Sequence, residues 1–516
     1  MVKTLKEQGA LVQRSVAAGE PGRSLLTGAD VAVPFFLLHY ASMGRRLIVA
    51  RGFYETLIPM YTAQLHDSPL SLAVSAVATK ILSFWRHEDD VKVASHSAPY
   101  TQAIVSLRSA LEHPEDRRRP ATALAVLTLH LYESISAVYD ARQATPIHHH
   151  GALSLLPIVA LDSLDGLAST HVKGFMLHTE ISSALRQKRS MHPNVYSYAN
   201  SPYTSFLVPG NFSSILDSIG ASVVELQANY MCGVSRHKSY PALEQQCRAW
   251  ITEAEHIDRL LRTWAQDMPD QWRPLRLTSR QDFSASVAAY MSACDIYPSC
   301  QIATLWNLWR FHRLLLIKIT IGAIRISTLP WDESAGDGRF LPSTIQTSSI
   351  QDLVDGVCHS VPFYLGNRAK QSSLSDFTDP EILLPSYHSL TMGDDRMSAW
   401  HHEYDDIALS KDEHHRHIVA YGAWHVVSPL SNLLTLFSDD HGGRLVASCL
   451  RQGQHEWIRE QFLRVSTLLR LPAARPLSRE QWHNPSLLPV DLKPADNVAE
   501  SLAKQVRKGS EFMSGP

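Results

Sequence analysis

Paired cysteines are missing from this chain. Its 516 residues hold six cysteines, at 232, 247, 294, 300, 358 and 449, and no two of them form a C-x-x-C pair. That scatter excludes the usual zinc modules and a secreted disulfide framework, and reads as reduced core thiols. Charge of one sign is also lacking: 48 Lys and Arg against 50 Asp and Glu leave a net charge of −2. No clustered basic face asks for nucleic acid or an anionic membrane. The first thirty residues are polar and glycine-bearing, without an apolar leader core. No run reads as long and uncharged enough to span a bilayer. The expectation is a nuclear or cytoplasmic protein that is not secreted and does not contact a membrane. Nucleophile elbow, P-loop, dinucleotide fingerprint, zincin helix and kinase signatures are all absent.

Present instead is apolar sequence at helical spacing. Ser68-Pro69 opens LSLAVSAVATKILSFW with a capping hydroxyl and a proline at the first helical position. The stretches 95–113 and 121–139 repeat the plan, separated by the charged loop 115–120. Fifteen- to twenty-residue helices joined by short Pro- or Asp-bearing loops predict an all-α fold of stacked antiparallel helices around a continuous core, with long irregular loops. The reading places a loosely ordered terminus at 1–30, one helical domain at 31–470 and a Pro- and charge-rich tail at 471–516. The aromatic, aperiodic stretch 190–213 reads as an ordered loop and as the place for any sub-boundary. Residues 330–350 and 370–415 read as irregular.

The stretch 296–319, IYPSCQIATLWNLWRFHRLLLIKI, is the most apolar of these helices, with no Gly or Pro after Pro298. Asn307, Arg310, His312, Arg313 and Lys318 interrupt it, so it reads as a core helix whose polar groups need partners. A buried Arg310 needs an acidic partner or lines a pocket and meets an acidic ligand. Trp306, Asn307, Trp309 and Arg310 are therefore the candidate walls of any internal cavity.

Other polar clusters carry a chemical and a plainer reading side by side. His148-His149-His150 looks like a metal tract. Consecutive helical residues, however, point about 100° apart, so capping and packing fit better; His148 is kept as a pocket candidate and no metal is expected. His130 and Glu133 lie one turn apart on an apolar helix, either an acid–base pair at a cavity or a buried pair satisfied by neighbours. The tract 401–406, with His414, His415 and His417 after it, reads as a solvated loop.

Several stretches, in order, resemble the fungal-specific transcription factor domain, the C-terminal regulatory region of fungal zinc-cluster transcription factors. They are SPLSLAVSAVA (68–78), LYESISAVYDARQATPIHHHGALSLL (131–156), WAQDMPDQW (264–272), IYPSCQIATLWNLWRFHRLLL (296–316), LVDGVCHSVPFYLG (353–366), AYGAWHVVSPL (420–430) and WIREQF (457–462). The resemblance implies a fungal source and an all-helical, effector-responsive region. DNA-binding members carry a six-cysteine binuclear zinc cluster, a basic linker and a coiled coil, and the sequence shows none of them, so direct DNA binding is not expected.

Two functions follow as expectations. One is a regulatory or ligand-binding protein linked to secondary metabolism, holding a hydrophobic small molecule and acting through a protein partner, with no cofactor. The other is a repurposed biosynthetic enzyme, a cyclase or Diels-Alderase-like pericyclase for an apolar polyketide or terpenoid. There His130, Glu133 or Arg310 are the groups to polarise a carbonyl. A gene whose upstream exon encodes the zinc cluster is the third expectation.

Overall fold

Helix starts fall where local chemistry satisfies the first free N–H groups. The structure, a computed structural model, describes residues 28–41, 53–86, 93–140, 142–159, 166–199, 211–235, 240–278, 282–328, 347–390, 410–439, 442–472 and 498–509. Expectations for 1–27, 200–210, 329–346 and the 401–406 tract lie outside the described residues. Helix α1 (Gly28–Phe36) runs into a π-turn at Leu37–Ala41 and is followed by α2 (Phe53–Thr62). Then come α3 (Pro69–Arg86), α4 (Val93–Glu112), α5 (Pro120–Tyr139), α6 (Ile147–Leu155) and α7 (Gly166–Gln187). Ser68 Oγ accepts from the Ser71 N–H at 3.2 Å, the cap expected there. Pro69 and Pro120 each sit in a first turn, where a missing N–H breaks no helical bond.

The second half holds α8 (Phe212–Val234), α9 (Tyr240–Asp267), α10 (Cys300–Thr328), α11 (Thr347–Leu365), α12 (Lys411–Phe437), α13 (Gln454–Leu468) and α14 (Val498–Gly509). Helix α10 packs on α8, α9, α11 and α12. Its apolar residues belong to one buried cluster that runs from Val31 to Val506. The all-α fold around a continuous core is thus observed. Where α12 crosses α11, a Cβ on Gly422 would lie 2.2 Å from the Tyr364 carbonyl oxygen. Only a glycine lets the two backbones come so close.

Some details depart from expectation. Ile296 does not begin the central helix; Cys294–Ile296 forms strand β2, antiparallel to β1 (Leu275–Leu277), with Arg276 opposite Asp295. The polar run before residue 416 is not solvated loop where it is described. Ser410 and Glu413 make a reciprocal capping box, and α12 starts at Lys411 with His414 and His417 buried. A short helix at Pro193–Ala199 occupies part of the stretch read as loop. The tail holds α14, whose Ala499, Leu502, Ala503 and Val506 are buried, and α14 packs on α12. Among the described residues one helix, α5, is long and apolar enough to cross a bilayer, which corrects the expectation that no run is, but 94% of its apolar window is buried in the protein.

Candidate functional site

Each of the four central-helix candidates is hydrogen-bonded or ion-paired to another element. Trp306 Nε1 donates to the Trp272 carbonyl at 2.8 Å, and Trp309 Nε1 to the Leu261 carbonyl at 2.7 Å. Asn307 Nδ2 donates to Ser360 Oγ at 3.0 Å. Arg310 Nη1 donates to Asn307 Oδ1 at 2.8 Å and to the Tyr297 hydroxyl at 3.2 Å. Its acidic partner is Asp295, 3.7 Å away, which also takes two bonds from Arg276. The strand pair delivers that carboxylate, which is why the helix sequence alone does not show it. A Cβ on Gly356 would lie 2.5 Å from Arg310 Nε, so α11 makes room for the guanidinium.

His130 and Glu133 do not form a pair. Glu133 Oε1 accepts from Arg142 Nη1 at 2.6 Å and from the Thr145 N–H and hydroxyl, each at 3.0 Å. The His130 ring lies 5.5 Å from that of His149 instead. The i, i+3 spacing was satisfied, but Arg142 after the helix end outcompetes a neutral imidazole for the carboxylate. The three histidines of α6 diverge as their helical spacing demands. His148 Nε2 meets the Tyr100 hydroxyl at 3.1 Å, His149 Nε2 meets Glu180 Oε2 at 2.7 Å, and His150 is exposed. Among the described residues no group of three or more His, Cys, Asp or Glu is placed to hold a metal ion.

A cavity with aromatic walls lies elsewhere, between α2, α3, α5 and α12 and the end of α13. Tyr40, Tyr54, Trp85, Tyr421, Trp424 and His425 supply its aromatic surface, and Leu131, Ile135 and Ala420 its aliphatic surface. It encloses about 790 Å³ of space between atoms, partly open to solvent, of which about 60 Å³ admits the centre of a water molecule. A large gap volume with so little room for a sphere describes a narrow slot. A cavity of roughly 150 Å³ takes up a benzene ring in other proteins, so this slot fits a flat ring only with small side-chain shifts.

The polar edges of the slot are held in place. Tyr421 donates its hydroxyl to the Tyr54 hydroxyl at 2.5 Å, and Trp85 Nε1 donates to the Tyr40 hydroxyl at 2.8 Å. Tyr139 stacks on Phe84 with ring centres 3.7 Å apart and donates to the Leu469 carbonyl. Thr304 Oγ1 and His425 Nδ1 are 2.7 Å apart. Burial pushes the Tyr40 and Tyr139 hydroxyls well above the usual phenol range, so both stay protonated at neutral pH. Among the described residues no carboxylate lines the slot, and Arg470 is the one full cation on it. Such walls suit a neutral, ring-bearing molecule that accepts hydrogen bonds at one edge.

None of the sequence-derived candidates lines this slot. A signal for it did exist: Tyr421, Trp424 and His425 recur at i, i+3 and i+4 on one face of α12. Tyr40, Tyr54 and Trp85 come from separate helices, and only the fold unites them. Comparison with known proteins yields no match, whether with family models, curated sequences or solved structures.

Proposed function

We propose that this chain is a ligand-responsive regulatory protein of the kind its sequence resembles, linked to secondary metabolism and acting through a protein partner rather than on DNA directly. The observation that carries this reading is the aromatic slot. Four tyrosine hydroxyls and an arginine edge a narrow apolar cleft that, among the described residues, no carboxylate enters. Helix α12 supplies Tyr421, Trp424 and His425 to the slot while its Gly422 face is locked against α11. A ligand pressing on the first face therefore moves the packing of the second, which is how a population shift reaches a distant surface. The competing reading, a cyclase or pericyclase, draws on the same walls, with the tyrosines and His425 as donors to a substrate carbonyl.

The test is capture of an apolar metabolite fraction by the purified protein, read by mass spectrometry of what is retained. A flat, ring-bearing species is expected to be retained by the wild type. Ala420→Phe, which fills the slot, should abolish retention, and Trp424→Ala should weaken it by about tenfold, the worth of one aromatic contact. Equal retention by all three proteins sinks the proposal. Recovery of the ligand as an isomer, formed by the wild type and not by Ala420→Phe, moves the assignment to the enzyme.

A further inference from the structure

A second cavity is built for the opposite chemistry. It opens where α7, α12 and α14 end, over the side chains of Phe311 and Leu315 from α10, and has about 520 Å³ of room. Arg186, Lys188, Lys318, Lys504, Arg507 and Lys508 all line it, against one carboxylate among the described residues, that of Asp439. Asp439 takes Lys188 Nζ at 2.5 Å and Lys318 Nζ at 2.7 Å. Burial alone would push its carboxyl up, but the two lysines outweigh that and hold it far below the usual carboxylate range.

The plainer account is that these cations neutralise helix ends, because three C-termini converge here. Each carries the equivalent of about half a negative charge, so among the described residues they and Asp439 offset only part of the positive charge of the lining. One further group points the same way. Arg507 donates Nη1 to Thr435 Oγ1 at 2.5 Å, yet its Nε is unpaired. Buried donors are nearly always paired, and an unpaired N–H of a cation beside excess positive charge suits an anionic partner.

We infer that this basic cavity is a binding site for a small polyanion, phosphorylated or polycarboxylic, separate from the aromatic slot. The ligand places its charged groups between Arg507, Lys504 and Lys508 of α14 and the Lys188–Lys318 pair. Any apolar portion lies on Phe311 and Leu315. By crosslinking α14 to α7 and α12 it clamps the C-terminal helix to the core, and so stabilises the fold by mass action.

Thermal denaturation and titration calorimetry test this, with inorganic pyrophosphate and citrate as probes and sodium chloride at matched ionic strength as the reference. At least one probe is expected to raise the Tm above the chloride reference, and the stronger of the two tells a phosphorylated ligand from a polycarboxylic one. Lys504 and Lys508 are exposed, so Lys504→Glu with Lys508→Glu keeps the fold. That double variant should weaken binding by at least tenfold, the scale of one lost charge-assisted hydrogen bond. Ala420→Phe, which blocks the aromatic slot, should leave polyanion binding unchanged. If both probes act only as chloride does, or the double variant binds within twofold of wild type, the inference falls.

Discussion

Glu180 shows how far one residue's role depends on what the chain brings to it. It sits fully buried on α7 and accepts from His149, from both terminal nitrogens of Arg189 and from the His192 N–H. Burial pushes its carboxyl up, but the His149 and Arg189 bonds outweigh burial and hold it at about 2. A carboxylate depressed from 4.5 to 2 adds stability that is present above pH 4.5 and lost as pH falls toward 2, on the order of 3 kcal/mol in full. Glu180→Gln should therefore lower stability at pH 7 and flatten its decline between pH 4.5 and 2.5, measured by urea denaturation. A variant with the wild-type slope would show that Glu180 is not the titrating group. His149 was legible as one of three histidines, but nothing local announced its carboxylate, thirty-one residues away.

Among the elements, α12 does most to join the molecule. Its N-terminus rests on the Ser410–Glu413 capping box, its middle presses Gly422 on α11, and its far face supports α14. Ser410→Ala should cost about 1 kcal/mol, the usual worth of an N-cap. Gly422→Ala pushes a methyl against the Tyr364 carbonyl and should cost roughly 1–3 kcal/mol or more, as overpacking does. Both are read as shifts in the chemical denaturation midpoint. A Gly422→Ala variant as stable as wild type would mean that the α11–α12 contact gives freely. The S-x-x-E signature of that cap lies in plain view at 410–413. It was hidden by the histidines and charges after it, which look solvated until α11 and the 385–390 segment cover them. Helix α14 was lost the same way, since twelve residues in a Pro- and charge-rich tail make a weak periodic signal.

At the scale of the whole molecule, the buried histidines set the response to acid. Burial, then the nearby Arg416 charge, lowers His39 to about 3. Burial, then His388 and His415, lowers His414 to about 3 as well. Their unfolded value is 6.5, so the unfolded chain binds more protons between pH 6.5 and 3, and stability falls as pH falls through that window. At pH 5 each costs about 2 kcal/mol, and two together remove a large part of a typical 5–15 kcal/mol. Circular dichroism in a fixed concentration of urea just below the denaturing range at pH 7 should show unfolding as the pH falls to about 5. His39→Phe, which keeps the ring between Phe35 and Phe377, should move the midpoint to lower pH. An unchanged midpoint would clear His39 of that role.

The sequence by itself determined that this protein is helical, where most helices run and that one core joins them. Those properties follow from spacing within a helix and from caps within four residues, and both are written locally. It did not determine the sites. The central helix holds the most arresting residues of the chain, Trp306, Asn307, Trp309 and Arg310, and each of them is taken up by a partner from another element. The aromatic slot and the basic cavity are assembled from side chains hundreds of residues apart, none unusual where it stands. A cavity is a property of how helices pass one another, and only the tertiary structure decides that.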